Sequence, residues 1–397
     1  MHSRPKQHGR HMHVTLYSIK KKMKMNKSNQ IRKSITFTLS ILCISVICNS
    51  QSIIPLDTTH WDISAKAYVL ENYKGKDAIY IQQGIAMLKD TTFINGTIEF
   101  DVFLTERQSF PGVRFRVSDD NNMESFFLRP HLSGKPDANQ AAPVINGLTA
   151  WQLYFGPKYS FPYAYNFDDW THIKLVINDN KGQVYLDYAK APHLSWDLVH
   201  TPKEGMIGIG GSFAPVHYAN FKINKYDTKI EEFKAIEREA LEDIILEWEI
   251  SDMFEENSLS DLSNLQAVIN RRIWDKKIQV EENTAANISR AVLLYGETPG
   301  NTVFAKIIIN SDKDQVKLFK FGYSDRAVAI LNGNPIYKGT NKWRSRDYRY
   351  LGTIGLFDAV YLNLKKGDNT LLFAVSEDFG GWLITGQFED EQGIIIK

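Results

Sequence analysis

Short runs in which apolar and polar residues alternate strictly set the terms for this chain, because a period of two puts successive side chains on opposite faces of a strand. Gly96–Leu104 (GTIEFDVFL) places Ile98, Phe100, Val102 and Leu104 on one face and Thr97, Glu99 and Asp101 on the other. Gly112–Val117 (GVRFRV) turns Val113, Phe115 and Val117 inward and Arg114 and Arg116 outward. Thr171–Ile177 repeats the pattern with Ile173, Leu175 and Ile177. Turn clusters separate the runs: Asp119-Asp120-Asn121-Asn122, Asn178-Asp179-Asn180 and Lys181-Gly182. Many short half-buried strands with turn punctuation predict an antiparallel sandwich, and the lack of strand–helix alternation argues against a parallel α/β sheet. One stretch departs from this. In Asp227–Trp248, residues Ile230, Phe233, Ile236, Leu241, Ile244 and Ile245 recur at helical spacing between charges, which predicts one amphipathic helix. Strands resume after it, at Val303–Ile309, Gln315–Phe321, Ala327–Leu331 and Thr370–Val375, with Asn332-Gly333 as a hairpin turn. The expected organisation is all-β: two antiparallel β-sandwich domains, 51–226 and 249–397, joined by a helix over 227–248.

Residues 1–50 read as an address. Lys24, Lys27, Arg32 and Lys33 precede the uncharged stretch Ile35–Cys48, and the small residue Ser50 offers a cleavage point after it. Fourteen uncharged residues fall short of the roughly 20 that span a bilayer, so the expectation is a cleaved signal peptide and no membrane insertion. Both cysteines, Cys43 and Cys48, lie inside it. A mature chain without cysteine has no disulfide, thiolate chemistry or Cys-ligated zinc, and reads as a bacterial secreted or periplasmic protein. The first 50 residues also hold ten Lys/Arg and no acid, which leaves 37 basic against 46 acidic side chains in the remainder, a net −9. No general field for nucleic acid exists on such a body.

The candidate chemistry is concentrated in Phe126–Phe155, FFLRPHLSGKPDANQAAPVINGLTAWQLYF. Arg129, His131, Asp137, Gln140, Asn146, Trp151, Gln152 and Tyr154 crowd among turn-forming Pro and Gly. Such a set suits a sugar: Trp151 or Tyr154 stacks on a pyranose, amides bind hydroxyls, and Arg129 grips a carboxylate or sulfate. His131 and Tyr154 are the proton-transfer candidates. The competing reading is a long ordered loop whose polar groups cap their own turns. Arg114 and Arg116 are further substrate-binding candidates, although cross-strand ion pairs with Glu99 and Asp101 account for them equally well. Tyr159, Tyr163 and Tyr165 with Phe161 and Phe167 form an aromatic loop that serves either core packing or a stacking rim. His217 and Tyr218 complete the candidates in this half.

The run LRPHLSGKPDANQ…PVINGLTAWQLY, followed by Trp170-Thr171-His172-Ile173-Lys174-Leu175, resembles the laminin-G-like, 3-keto-disaccharide-hydrolase-like branch of the concanavalin A-like lectin/glucanase superfamily, over roughly Ile63 to Ile223. The resemblance implies a two-sheet jelly roll whose concave face meets glycans, in a setting of polysaccharide degradation. That superfamily commonly binds a structural calcium ion, for which no ligands are assigned; Asp119 and Asp120 read as turn residues. No other cofactor is expected. The glucanases of the superfamily carry an E-x-D-x-x-E strand, whereas Glu99-Phe100-Asp101-Val102-Phe103-Leu104 lacks the second glutamate, which weighs against hydrolysis by a carboxylate pair. The second domain resembles galactose-binding-like jelly rolls through Ala327–Gly339 and Leu364–Val375, with Gly380-Gly381-Trp382 beyond. Its loop NKWRSRDYRY, with Trp343, Arg344, Arg346 and Arg349, is either an anion-binding loop or a solvated hairpin.

No G-x-S-x-G elbow, H-E-x-x-H pair or P-loop occurs. The expectation is therefore a secreted protein acting on acidic, uronate-containing oligosaccharides by elimination, as a lyase or dehydratase: an Arg or amide neutralises the carboxylate while His131 and Tyr154 move protons. The alternatives are a non-catalytic carbohydrate-binding protein on the same face and a glycoside hydrolase with a carboxylate pair.

Overall fold

The computed structural model describes residues 53–343, 345 and 353–397; the signal segment and Arg344, Arg346 and Arg349 lie outside the described residues. The expected alternation becomes strands. Thirteen are described in the first half: β1 (Trp61–Tyr73), β2 (Lys76–Leu88), β3 (Gly96–Leu104), β4 (Gly112–Asp119), β5 (Asn122–Leu128), β6 (Asn139–Ala141), β7 (Val144–Ile145), β8 (Leu148–Thr149), β9 (Asp169–Asn178), β10 (Lys181–Leu186), β11 (Leu194–Asp197), β12 (Met206–Gly211) and β13 (Val216–Asn224).

All pairings among them are antiparallel, in the order β11-β10-β9-β3-β13-β2-β12-β4-β5. The long β2 joins two layers: Ala78–Ile81 pair with β13, whereas Gly84–Met87 pair with β12. Between them Gln83 takes a positive φ of 47°. The layers enclose Ile98, Phe100, Phe115, Phe126, Ile173, Leu175, Ile209 and Tyr218, the inward positions of the alternating runs.

The second half has eleven described strands: β14 (Glu247–Ser251), β15 (Trp274–Glu281), β16 (Ala285–Asn287), β17 (Thr302–Ser311), β18 (Gln315–Ser324), β19 (Arg326–Leu331), β20 (Asn334–Thr340), β21 (Asp358–Leu364), β22 (Gly367–Ser376), β23 (Leu383–Phe388) and β24 (Ile394–Ile396). The layers β20-β19-β22-β17-β14 and β16-β23-β18-β21 close over Trp248, Phe319, Phe321, Phe373 and Trp382. Asn332 (φ 50°) and Gly333 (φ 80°) make the β19–β20 turn as expected. The architecture is all-β and antiparallel.

The helix expected over 227–248 is absent. Residues 227–243 carry no helix, and Glu247–Trp248 already belong to β14. Contacts with both halves explain this. Glu231 N–H binds Gln183 Oε1 at 2.9 Å and its carbonyl accepts from Gln183 Nε2. Leu241 N–H reaches Asn283 O at 3.2 Å, and Glu242 O accepts from Gln387 at 2.7 Å. A helix would consume those backbone groups internally, so tertiary partners outcompete its periodicity.

Candidate functional site

The central motif does not form one site. Its long loop is held from within by Arg129, which donates to the carbonyls of Asp137 (3.1 Å) and Asn139 (3.5 Å) and to Gln140 Oε1. Gln140 in turn donates to the carbonyls of Trp151 (3.0 Å) and Tyr154. Burial, only partly offset by Asp137, pulls the Arg129 pKa down to about 10. Both side chains are spent on the loop, so neither reaches a substrate carboxylate. Asn146 (φ 46°) turns the β7–β8 hairpin and donates to Ser289 O at 2.7 Å.

Tyr154 contradicts its expected role most directly. It is fully buried, and its hydroxyl donates to Glu281 Oε2 at 2.5 Å, where Arg290 also binds. Burial and then the Glu281 charge push its pKa well above the usual tyrosine value, so it keeps its proton and ties the two halves together. Tyr159 does the same with Glu282 at 2.6 Å. Tyr165 donates to Ala138 O and Tyr163 to Asp187, and Phe161 packs in the core. Most of the aromatic loop is thus structural.

The arginines of β4 separate. A register shift with Arg116 at φ 51° breaks the alternation there, as a β-bulge does. Arg116 is consequently buried and clamps Ile94 O (2.8 Å), Asn95 Oδ1 (3.0 Å) and Asp179 O (2.5 Å). Val117 leaves the main core for a satellite cluster with Met123 and Val144. Neither arginine pairs with Glu99 or Asp101. Those acids face His172: Asp101 Oδ1 lies 2.7 Å from Nδ1, and Glu99 Oε2 lies 3.5 Å from Nε2. Lys76 and Asn220 complete Asp101, at 2.8 and 2.6 Å. Burial opposes charge on His172, but the two carboxylates outweigh it and raise its pKa. Tyr188 stacks on the imidazole at 4.0 Å. Sequence reading missed His172 as their partner; the signal was its register opposite Asp101, two strands joined by β3–β9 pairing.

Arg114 is different. It pairs across the ladder with Gly208 and Ser125, and the same row extends to Met87. Cross-strand partners share a face, so Met87, Gly208, Arg114 and Ser125 make one row on the outward side of the layer, opposite buried Val113 and Phe126. The next row is Ile85, Gly210, Gly112, Phe127 and Gln140. Arg114 is exposed, and among the described residues no hydrogen bond, ion pair or ring contact engages it. Enough protein surrounds the guanidinium to lower its pKa by desolvation, yet an arginine stays charged.

Phe127 continues the surface, with the Arg129 guanidinium 4.9 Å from its ring and Phe110 6.1 Å away. Phe110 meets His131 edge-on at 5.2 Å and Phe213, itself exposed, at 5.4 Å. His131 Nδ1 is buried and has no hydrogen-bond partner among the described residues. Desolvation, then the Arg129 charge, lower its pKa, so the ring is neutral near pH 7. This face therefore joins an unpaired cation, a run of phenylalanine rings and a neutral imidazole. Trp151 and Gln152 lie elsewhere, against Gly380.

His217 stacks on Tyr73 at 3.6 Å and bonds Glu71, while Tyr218 is buried with its hydroxyl on Gly112 and Gly210. Asp119 accepts from Asn121 N–H in its turn, and no group of three or more potential metal-binding His, Cys, Asp or Glu occurs among the described residues. No helix among them is long and apolar enough to cross a membrane.

No family model and no curated protein matches the chain. Solved structures do. The carbohydrate-binding module CBM66 from Bacillus subtilis is 14% identical, with 42% of this chain and 96% of that one covered at a TM-score of 0.33. A protein of unknown function with a galectin-like fold, also from Bacillus subtilis, is 12% identical over 44% and 92%, at 0.32. SCLam, a non-specific endo-β-1,3(4)-glucanase of family GH16, is 8% identical over 44% and 86%, at 0.32.

Proposed function

We propose that the protein is a secreted carbohydrate-binding protein of polysaccharide breakdown, and that the β12–β4–β5 face holds an acidic sugar unit. The observation that carries this reading is Arg114: a charged, exposed guanidinium with no partner among the described residues, in a row with two small residues and beside Phe127. A guanidinium offers two parallel N–H donors that match a carboxylate, and an adjacent ring offers the flat apolar surface that a pyranose covers. Titration with uronate-containing and matched neutral oligosaccharides tests it. Arg114→Ala is expected to weaken binding of the acidic ligand at least tenfold and leave the neutral one unchanged, a charge-assisted pair being worth about 1.5–3 kcal/mol. Unchanged affinity of the variant for the acidic ligand would refute the assignment.

A second reading, elimination at the uronate, draws on His131 alone. The ring is neutral near pH 7 and, with Nδ1 enclosed, would take the C5 proton beside the carboxylate on Nε2 and return it to the oxygen that leaves C4. The appearance of a C4–C5 double bond, followed by its ultraviolet absorbance and abolished in His131→Ala with binding retained, distinguishes a lyase or dehydratase from a binding protein. Under either reading Tyr154 takes no part in proton transfer.

A further inference from the structure

We infer that Phe213 sets the length of glycan that the Arg114 face reads: its ring, with that of Phe110, floors a second position, which takes the sugar unit linked to the one held by Arg114 and Phe127. This rests on the Arg114 reading and extends it from a single unit to a chain of at least two.

The backbone at Phe213 is strained. Its φ is 67°, in the left-handed region where a Cβ crowds the main chain and which a bulky side chain rarely occupies. Such a conformation persists only where neighbours impose it. Two contacts do so here. Phe213 bridges Ser109 in antiparallel register, and Ala214 N–H donates to Gln108 O at 3.0 Å, which ties the β12–β13 turn to the loop before β4. Ser109 is buried, and a regular strand residue opposite it would point inward with it. The left-handed backbone sends the Phe213 ring outward instead, where it is 54% exposed. The fold thus holds a large apolar ring in water on a strained backbone, at a point where glycine would remove both costs.

The ring lands on the Arg114 face. Arg114, Gly112 and Phe110 follow one another at two-residue steps along β4 and the residues leading into it, on the outward side that Phe127 shares. At about 3.4 Å per residue the backbone from Arg114 to Phe110 runs roughly 13 Å, more than one pyranose covers. Gly112 has no side chain to fill the interval, and Phe127 Cβ, 2.7 Å from where a Gly112 Cβ would stand, fills it from the neighbouring strand. Beyond it the Phe110 ring is 6.1 Å from Phe127, and the Phe213 ring is 5.4 Å from Phe110 at 52°. Phe127 and Phe110 are half-buried, so Phe213 is the most open of the three. A row that starts at a cation and ends on an exposed ring matches a glycan that enters with its carboxylate at Arg114 and lays the C–H side of its next unit on Phe110 and Phe213. His131, edge-on to Phe110, presents a neutral ring there near pH 7. The second unit is therefore recognised by its C–H face, and charge recognition stays with Arg114.

Calorimetric titration of the full chain with glucuronate, galacturonate and mannuronate, and with the matching trisaccharides, tests this. A trisaccharide is expected to bind at least tenfold more tightly than its monomer. Phe213→Gly is expected to weaken the trisaccharide at least fivefold, to leave the monomer unchanged, and to leave the urea midpoint equal or higher, because glycine accepts a φ of 67°. Phe213→Trp is expected to keep the advantage of length, and Arg114→Ala to weaken monomer and trisaccharide alike. A trisaccharide that binds no more tightly than its monomer, or whose advantage survives Phe213→Gly, overturns the inference and leaves uronate binding at Arg114 in place. Lost affinity together with a lowered midpoint also overturns it, since the ring then holds the loop rather than the glycan. Failure of every monomer and trisaccharide to bind the unaltered chain overturns the Arg114 reading itself, and this inference with it.

Discussion

Tyr154 and His172 illustrate how a side chain with catalytic chemistry is committed by its neighbours. The Tyr154 hydroxyl is bound to a carboxylate that Arg290 already neutralises. Tyr154→Phe is thus expected to cost about 1.5–3 kcal/mol of unfolding free energy in urea melts, the range for a hydrogen bond to a charged group, and to leave glycan binding intact. Lost ligand affinity without lost stability would restore a functional role. His172 sits between Glu99 and Asp101 with its pKa raised, while theirs are lowered. The stability it adds is full below the unfolded histidine value of about 6.5 and disappears as pH rises through the folded value. The acids contribute above their unfolded values and lose it as pH falls. His172→Gln is accordingly expected to destabilise by about 1–3 kcal/mol at pH 6 and by less at pH 9. A penalty independent of pH would mean that the imidazole packs on Tyr188 but carries no charge.

Among the elements, the segment between the sandwiches shows where periodicity fails. Phe233 lies under Lys181, whose Nζ is 4.8 Å from its ring, and Ile236 is exposed rather than buried on a helical stripe. Arg238 is the strongest anchor: it donates to Leu153 O at 2.8 Å and Phe155 O at 2.7 Å and lies 4.4 Å over the Phe155 ring. Arg238→Ala is expected to cost about 1–3 kcal/mol and to make residues 227–243 the first site of limited proteolysis. Unchanged cleavage would show that Glu231 and Glu242 suffice to hold the segment. The strands were legible because their inward residues, such as Ile98, Phe100 and Ile173, answer to a local period and to nothing else. The link was not, since its partners Gln183, Asn283 and Gln387 are scattered along the chain. The same division applies to the candidate site. Arg114 keeps its predicted outward face by alternation, whereas Arg116, two residues on, is turned inward by a bulge that no pattern announces. The loop motif drew attention to the right region, but which of its polar groups are already satisfied is a property of distances.

For the whole molecule, buried carboxyls set the pH range in which the fold is most stable. Glu124 accepts from Val199 N–H at 2.9 Å and His200 N–H at 2.7 Å, but burial outweighs these bonds and holds its pKa at about 7; that of Glu377 is about 8. For an acid whose folded pKa is raised, the folded state binds the extra proton between the unfolded and folded values, so stability declines with rising pH across that window. The lowered values of His131, His193 and His200 work in the opposite direction, but their gain is complete once pH exceeds about 6.5. Above that point the two glutamates and His172 act together. At about 1.4 kcal/mol per pKa unit, the remaining half unit for Glu124 and unit and a half for Glu377 amount to about 2–3 kcal/mol lost between pH 6.5 and 8.5. Urea denaturation across that range is expected to show the decline in the unaltered chain. Glu124→Gln and Glu377→Gln should each flatten it, Glu377→Gln more, because its window extends further into the alkaline side. A flat profile in the unaltered chain would mean that water reaches both carboxyls and that neither is desolvated in solution.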